Sequence, residues 1–196
     1  MNLIQAAPLS IGSDGWCDSV ESIVSPNFDA RPAGQEPELL VIHSISLPPG
    51  ELGGPAIVQF FRNELDWNSH PYYRDLRDLR VSAHFLVRSD GTVIQFVSCR
   101  DRAWHAGISN FEGRDRCNDF SIGIELEGTD TGPFSDAQYL ALARLTQGLI
   151  ARYPLFAVAA HSEIAPDRKS DPGPGFDWRR FFSDTGANLR RIRLSP

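Results

Sequence analysis

Phe120-Ser121-Ile122-Gly123-Ile124-Glu125-Leu126 alternates apolar side chains with small or polar ones. Successive strand residues face opposite sides, so this stretch reads as a β-strand with Ile122, Ile124 and Leu126 on one face. Glu125 then points the other way, out of an otherwise apolar run, and Glu127 shares its side. Working outward, Leu39-Leu40-Val41-Ile42-His43 is a short apolar run consistent with a buried strand. Val81 to Val87 and Thr92 to Val97 read as two more strands, with the hairpin signal Asp90-Gly91 between them. Residues 155–160 form a strand leading into His161. Ser135 to Tyr153 is the strongest helix: Ser135 and Gln138 make a capping box, Leu140, Leu142, Leu145, Leu149 and Ile150 supply an apolar stripe, and Pro154 ends it. Pro55 opens a shorter helix through Ile57, Val58, Phe60 and Phe61, and Phe176 to Phe182 reads as a terminal helix. Ser46 to Gly54 and Pro166 to Gly175 are loops, and Cys99 to Phe120 is a long irregular stretch of the kind that often carries function. Strands and helices alternate around one antiparallel hairpin. The expected fold class is therefore α/β, a mixed central β-sheet flanked by helices.

The chain has 196 residues, enough for one domain with a sizeable core. Residues 24–38, rich in Pro, Gly and Asp, read as a surface approach to the first strand. The expected division is an N-terminal extension over 1–23 and a single domain over 24–196. Nineteen Lys and Arg against twenty-five Asp and Glu give a net charge of −6, without the basic excess of a nucleic-acid footprint. No segment approaches the ~20 apolar residues of a membrane span, and no basic n-region precedes an apolar stretch at the start. Three cysteines, Cys17, Cys99 and Cys117, are neither a disulfide framework nor a Cys-x-x-Cys pair, which suits a reducing compartment. The expectation is a cytoplasmic monomer with no nucleic-acid or membrane partner.

Five histidines carry most of the candidate chemistry. His43 ends one apolar run and His161 follows another, and strand ends face the ligand crevice in α/β sheets. Asp171 lies in a Pro/Gly-rich loop that folds back toward His161. Two histidines with one carboxylate form a common catalytic zinc set that leaves a position for water. The bland alternative makes His43 a satisfied core histidine and Asp171 a turn cap before Pro172. His84 competes as a ligand, substrate contact or supporting residue. His105, beside Trp104, suits sugar or peptide binding, whereas His70 before Pro71 reads as a turn residue. A partly buried Glu125 suits a general base, although Glu127 shares its side and both acids could line a solvated edge. Lys169, two residues before Asp171, is placed to stabilise an oxyanion. Neither a P-loop, a Gly-x-Gly-x-x-Gly nor a Gly-x-Ser-x-Gly elbow is present.

Five blocks taken together point further. They are Val41-Ile42-His43-Ser44-Ile45-Ser46-Leu47-Pro48-Pro49-Gly50, Arg80-Val81-Ser82-Ala83-His84, Arg102-Ala103-Trp104-His105-Ala106-Gly107, Cys117 to Gly128, and His161 to Gly173. In this order they resemble the AmpD-type zinc amidases of bacterial cell-wall recycling, whose broader relatives are phage amidase lysozymes and peptidoglycan recognition proteins. The resemblance runs from about residue 24 to 182. It implies an amidase/peptidoglycan-recognition-protein-like domain that binds Zn2+ through His43, His161 and Asp171. It implies Glu125 as acid–base and Lys169 as oxyanion stabiliser, with Tyr72 as the nearest match to a tyrosine found near the metal in phage-type relatives. Ser44 departs from an asparagine common in the family. The implied reaction cleaves the amide between (1,6-anhydro)N-acetylmuramic acid and L-alanine of small muropeptides. Arg80, Arg114 and Arg116 are candidates to clamp stem-peptide carboxylates. Two rival classes are a secreted wall-lytic amidase and a non-catalytic peptidoglycan-binding module; the complete implied residue set disfavours the second.

Overall fold

The computed structural model describes residues 7–191. In chain order the strands are β1 Glu21–Ser22, β2 Phe28–Ala30, β3 Leu39–Ile45, β4 Phe85–Val87, β5 Val93–Gln95, β6 Asp101–Ala103, β7 Asn110–Phe111, β8 Arg114–Asp115, β9 Ser121–Glu127, β10 Ala157–Ala160 and β11 Arg190–Arg191. The helices are α1 Ala56–Phe61, α2 Asp136–Arg152, α3 His161–Ile164 and α4 Trp178–Thr185, with 3-10 turns at Pro71–Leu76 and Cys117–Asp119.

One sheet has the order β1-β5-β4-β9-β3-β10-β11. Strands β4, β9, β3, β10 and β11 run parallel, and β5 is antiparallel to β4. This is the expected mixed sheet. Apolar alternation decides which face each strand buries. Leu40, Ile42, Ile122, Ile124 and Leu126 pack against Leu142, Leu145 and Leu149 of α2 and Phe181 of α4. Each such side chain contributes about 1.5–3 kcal/mol when fully buried. On the opposite face, Leu39 and Val41 pack with Ala106, Phe111, Cys117 and Phe120, and Leu86, Ile94 and Phe96 pack with Ile57, Phe60 and Phe61 of α1. The capping box forms as expected: Ser135 Oγ accepts from the Gln138 amide and Gln138 Oε1 from the Ser135 amide.

Three boundaries differ from the sequence expectations. The strand expected over 81–87 is regular only over Phe85–Val87, because the Ser82 amide donates to the Trp104 carbonyl rather than to a sheet neighbour. The stretch 99–120 is not irregular throughout. It holds β6 and the β7–β8 hairpin, whose turn residues Glu112 and Gly113 both have positive φ, 51° and 85°. That is the pairing a two-residue hairpin requires. The terminal helix runs Trp178–Thr185 rather than 176–182, since Asp177 caps it by accepting from the Arg180 amide and Gly186 stops it at φ 59°. At the N-terminus, the Leu9 amide donates to the Arg144 carbonyl, and a Cβ on Gly148 would lie 2.0 Å from the Leu9 carbonyl oxygen. Only glycine lets this segment lie on α2.

Glu127 ties two loops together, the one at Gly53 and the turn at Arg88 and Ser89. Its Oε1 accepts from the Gly53 amide at 2.9 Å and from Arg88 Nη1 at 3.0 Å, and its Oε2 accepts from the Ser89 amide at 2.9 Å. Burial opposes the charge, but these donors hold the carboxyl below its ordinary value. Its stabilisation is thus present above the ordinary Glu pKa and is lost as pH falls through the depressed folded value. Glu127→Ala is expected to cost about 1.5–3 kcal/mol near neutral pH and less in acid. Denaturant midpoints at the two pH values check this; a midpoint at neutral pH equal to that of the wild type would refute it.

Candidate active site

The parallel pairing of β3 with β9 sets His43 opposite Glu125. Strand β10 lies on the other side of β3, and His161 follows its last residue as the first of α3. The loop after α3 folds back, with the Ser162 amide donating to the Asp171 carbonyl at 3.0 Å. That turn brings Asp171 to the two histidines. His43 Nδ1 lies 2.9 Å from His161 Nδ1, and both nitrogens lie 3.1 Å from Asp171 Oδ2.

All three residues are buried, and their ligand atoms lie within 4.8 Å of one another. Two imidazole nitrogens and a carboxylate oxygen converging on one point are a donor set for a divalent cation. The outer atoms agree with that use. His161 Nε2 lies 3.2 Å from the Ala106 carbonyl, which can only accept, so the proton sits on Nε2 and Nδ1 offers its lone pair. Burial, reinforced by neighbouring His161, pushes His43 down to about 4 and keeps it neutral. Burial would raise Asp171, but the close approach of the His161 and His43 rings outweighs it and holds the carboxyl well below the usual carboxylate range. This group suits a metal site.

Glu125 is the complement. One carboxyl oxygen lies 4.0 Å from His43 Nδ1, and the other, Oε2, is buried without a hydrogen-bond partner. Burial raises its pKa well above the ordinary value, the charge of Asp171 raises it further, and Lys169 opposes the rise. An orphaned, readily protonated carboxyl beside a metal-type donor set is equipped to move protons.

These groups form the floor of a cavity of about 500 Å³ together with Lys169. The lining includes the apolar Phe60, Phe61, Leu76 and Leu79, Tyr72, which is 39% exposed, and the polar Ser44, Ser46, Thr129 and Asp130. His70, read as a turn residue, accepts from the Tyr72 amide and opens the turn that presents that tyrosine. His84 does not reach the cavity. It is fully buried; the Gly123 amide donates to its Nδ1, and Nε2 lies 3.1 Å from the Asp101 carbonyl. His105 lines the cavity, but both its ring nitrogens are engaged within the protein, by His43 and Ser121. Arg80 is exposed and does not itself line the cavity, although its neighbours Leu79 and Val81 do; its guanidinium donates to the Arg77 and Leu79 carbonyls. Arg116 is turned to Asp119, and Arg114 is held by Glu38 and Gln35. None of the three arginines lines the cavity.

The sequence reading missed Asp130. Its carboxylate accepts from Ser44 Oγ at 2.6 Å and from Ser170 Oγ, bridging the loop after β9 to the loop that carries Lys169 and Asp171. A Cβ on Gly173 would stand 2.3 Å from the Asp130 carbonyl oxygen, so that glycine permits the approach. The only sequence signal was the Gly-rich character of both loops.

A family model described as N-acetylmuramoyl-L-alanine amidase matches residues 33–174. The chain belongs to this amidase family. It is 55% identical over 170 residues to the 1,6-anhydro-N-acetylmuramyl-L-alanine amidase AmpD of Citrobacter freundii, covering 86% of this chain and 91% of that protein. A crystal structure of a selenomethionine AmpD derivative superposes with a TM-score of 0.85 at 53% identity, over 87% of this chain and 97% of that one. The Escherichia coli amidase AmiD, solved as a complex with the substrate anhydro-N-acetylmuramic acid-L-Ala-D-gamma-Glu-L-Lys, shows a TM-score of 0.56 at 34% identity, over 79% of this chain and 60% of that one.

If the three converging donors hold the metal of this amidase, His43→Ala and Asp171→Ala should each purify without it. His70→Ala, outside the group, should keep it. Elemental analysis of the purified proteins decides, and a full metal complement in either of the first two variants would refute the ligand set.

Proposed function

We propose that this N-acetylmuramoyl-L-alanine amidase hydrolyses the bond between 1,6-anhydro-N-acetylmuramic acid and L-alanine of small muropeptides, with zinc held by His43, His161 and Asp171. The observation that carries the chemistry is the orphaned Glu125 carboxyl beside the three converging donors. The substrate class is supported by the relatives above and by a cavity whose lining mixes apolar and polar side chains, which suits a sugar joined to a peptide.

Zinc, when bound, supplies Lewis-acid polarisation of the scissile carbonyl and lowers the pKa of water. Glu125 takes the proton of the attacking water on its carboxylate and later delivers it to the leaving amine of L-alanine. Its raised pKa suits both duties. Lys169 Nζ, on the same floor, donates to the oxygen that gains negative charge. Tyr72 borders the substrate. Arg80, exposed next to the cavity-lining Leu79 and Val81, meets the stem-peptide carboxylates, whereas Arg116 is already paired with Asp119 and contributes less. The enzyme works as a monomer in the cytoplasm. The three free, buried cysteines suit a reducing compartment, and no helix among the described residues is long and apolar enough to cross a membrane.

Mass spectrometry of products tests the reading. Anhydro-muropeptide should yield anhydro-sugar and free peptide, with far slower release from intact sacculi. Equal or faster release from sacculi would point to a wall-lytic enzyme instead. Glu125→Ala should retain zinc and lose about 10²–10⁴-fold in turnover, while Arg80→Ala should raise KM with kcat unchanged. A Glu125→Ala enzyme of wild-type activity would remove the proposed acid–base.

A further inference from the structure

Behind His43, away from the converging ligand atoms, a line of polar groups runs into the protein. His43 Nε2 lies 3.0 Å from His105 Nδ1, His105 Nε2 lies 3.1 Å from Ser121 Oγ, and Ser121 Oγ donates to the Cys117 carbonyl at 2.6 Å. The last bond fixes the direction of the others. A carbonyl has no proton to give, so the Ser121 proton is committed there and Oγ accepts from His105. His105 Nε2 therefore carries its proton, and His105 Nδ1 presents a lone pair to His43 Nε2, which must donate. With its proton on Nε2, His43 keeps the Nδ1 lone pair for the point shared with His161 and Asp171.

The His105 backbone and ring are both held in place. The amides of His105 and Ala106 both donate to Asn118 Oδ1, at 3.2 and 2.8 Å. His84 packs against the ring edge-on, with centroids 5.7 Å apart. The ring lies against Gly123, where a Cβ would stand 2.4 Å from His105 Cγ. Gly123 is a regular residue of β9, so the backbone does not demand glycine there; the ring does.

We infer that His105 is a positioning residue that, through Ser121 and the Cys117 carbonyl, fixes His43 as the Nε2–H tautomer and aims its Nδ1 lone pair at the metal position. Glycine at 123 leaves the space for this ring. The inference rests on the metal reading of His43, His161 and Asp171. Outer groups of this kind typically change metal affinity or activity about 10–100-fold when removed.

The test uses His105→Leu, which deletes the acceptor, and His105→Asn, whose Oδ1 takes the place of Nδ1. Gly123→Ala pushes the ring aside while leaving both histidines in the sequence. Zinc affinity is measured by competition with a chromophoric chelator, and the His43 protonation site in the metal-free wild type by long-range proton–nitrogen spectra. His105→Leu and Gly123→Ala should bind zinc about 10–100-fold more weakly, with His105→Asn restoring much of the loss. The wild-type spectrum should place the proton on His43 Nε2. Wild-type affinity in a folded His105→Leu, or a proton on His43 Nδ1, would overturn the inference. Should His105→Leu fail to fold, Gly123→Ala and the wild-type spectrum decide. His43→Ala separates the two levels. If it keeps zinc, the metal reading itself fails; if it loses zinc while His105→Leu binds normally, only the positioning role fails.

Discussion

The site depends on the parallel register between β3 and β9, which sets His43 opposite Glu125. That register is held by the side of the sheet that has no part in the chemistry. Leu40 and Ile42 of β3 and Ile122, Ile124 and Leu126 of β9 are all sealed against α2 and α4. A slip of one residue would turn all of β9 over, exposing its apolar residues to the cavity and driving Glu125 into the helices. Burial on one face thus specifies geometry on the other. His161 joins the arrangement because β10 is parallel to β3 and ends beside it, and Asp171 because the following loop returns through a single backbone hydrogen bond at Ser162.

The polar side of β9 then distributes four roles along seven residues. Ser121 ends the hydrogen-bonded line behind His43, and Gly123 makes room for the His105 ring. Glu125 faces the cavity, and Glu127 anchors the loops at Gly53 and Ser89. The two acids are chemically equivalent in the chain and opposite in the fold. Glu127 is surrounded by donors and is held ionised. Glu125 meets burial and the charge of Asp171, so its proton is held more tightly. No pattern within the strand separates them, because the deciding partners come from residues 53, 88 and 89 on one side and 43 and 171 on the other.

This contrast shows what was legible in the sequence. The sheet strands β3 and β9 and helix α2 declare themselves through local periodicity and a local capping box, and they appear where expected. The group of His43, His161 and Asp171 does not: His43 and His161 are 118 positions apart, and their spacing allows a bland reading until the resemblance joins them. Beside Trp104 in the chain, His105 reads as a sugar or peptide contact, and it does line the cavity. Its ring partners, His43 and Ser121, lie in two strands that only folding brings to it. The β7–β8 hairpin escaped notice because its positive-φ turn begins with Glu112, a residue that seldom takes that conformation. Asp130 was hidden for the same reason as His105, since both serines it binds belong to other segments.

The most direct measurement is an anomalous difference map at the zinc edge from crystals of the full chain. A single strong peak is expected about 2.0–2.2 Å from Nδ1 of His43, Nδ1 of His161 and the Asp171 carboxylate, with Glu125 outside the coordination sphere. A peak elsewhere, ligation through Nε2 of either histidine, or Glu125 as a ligand in place of Asp171 would contradict it.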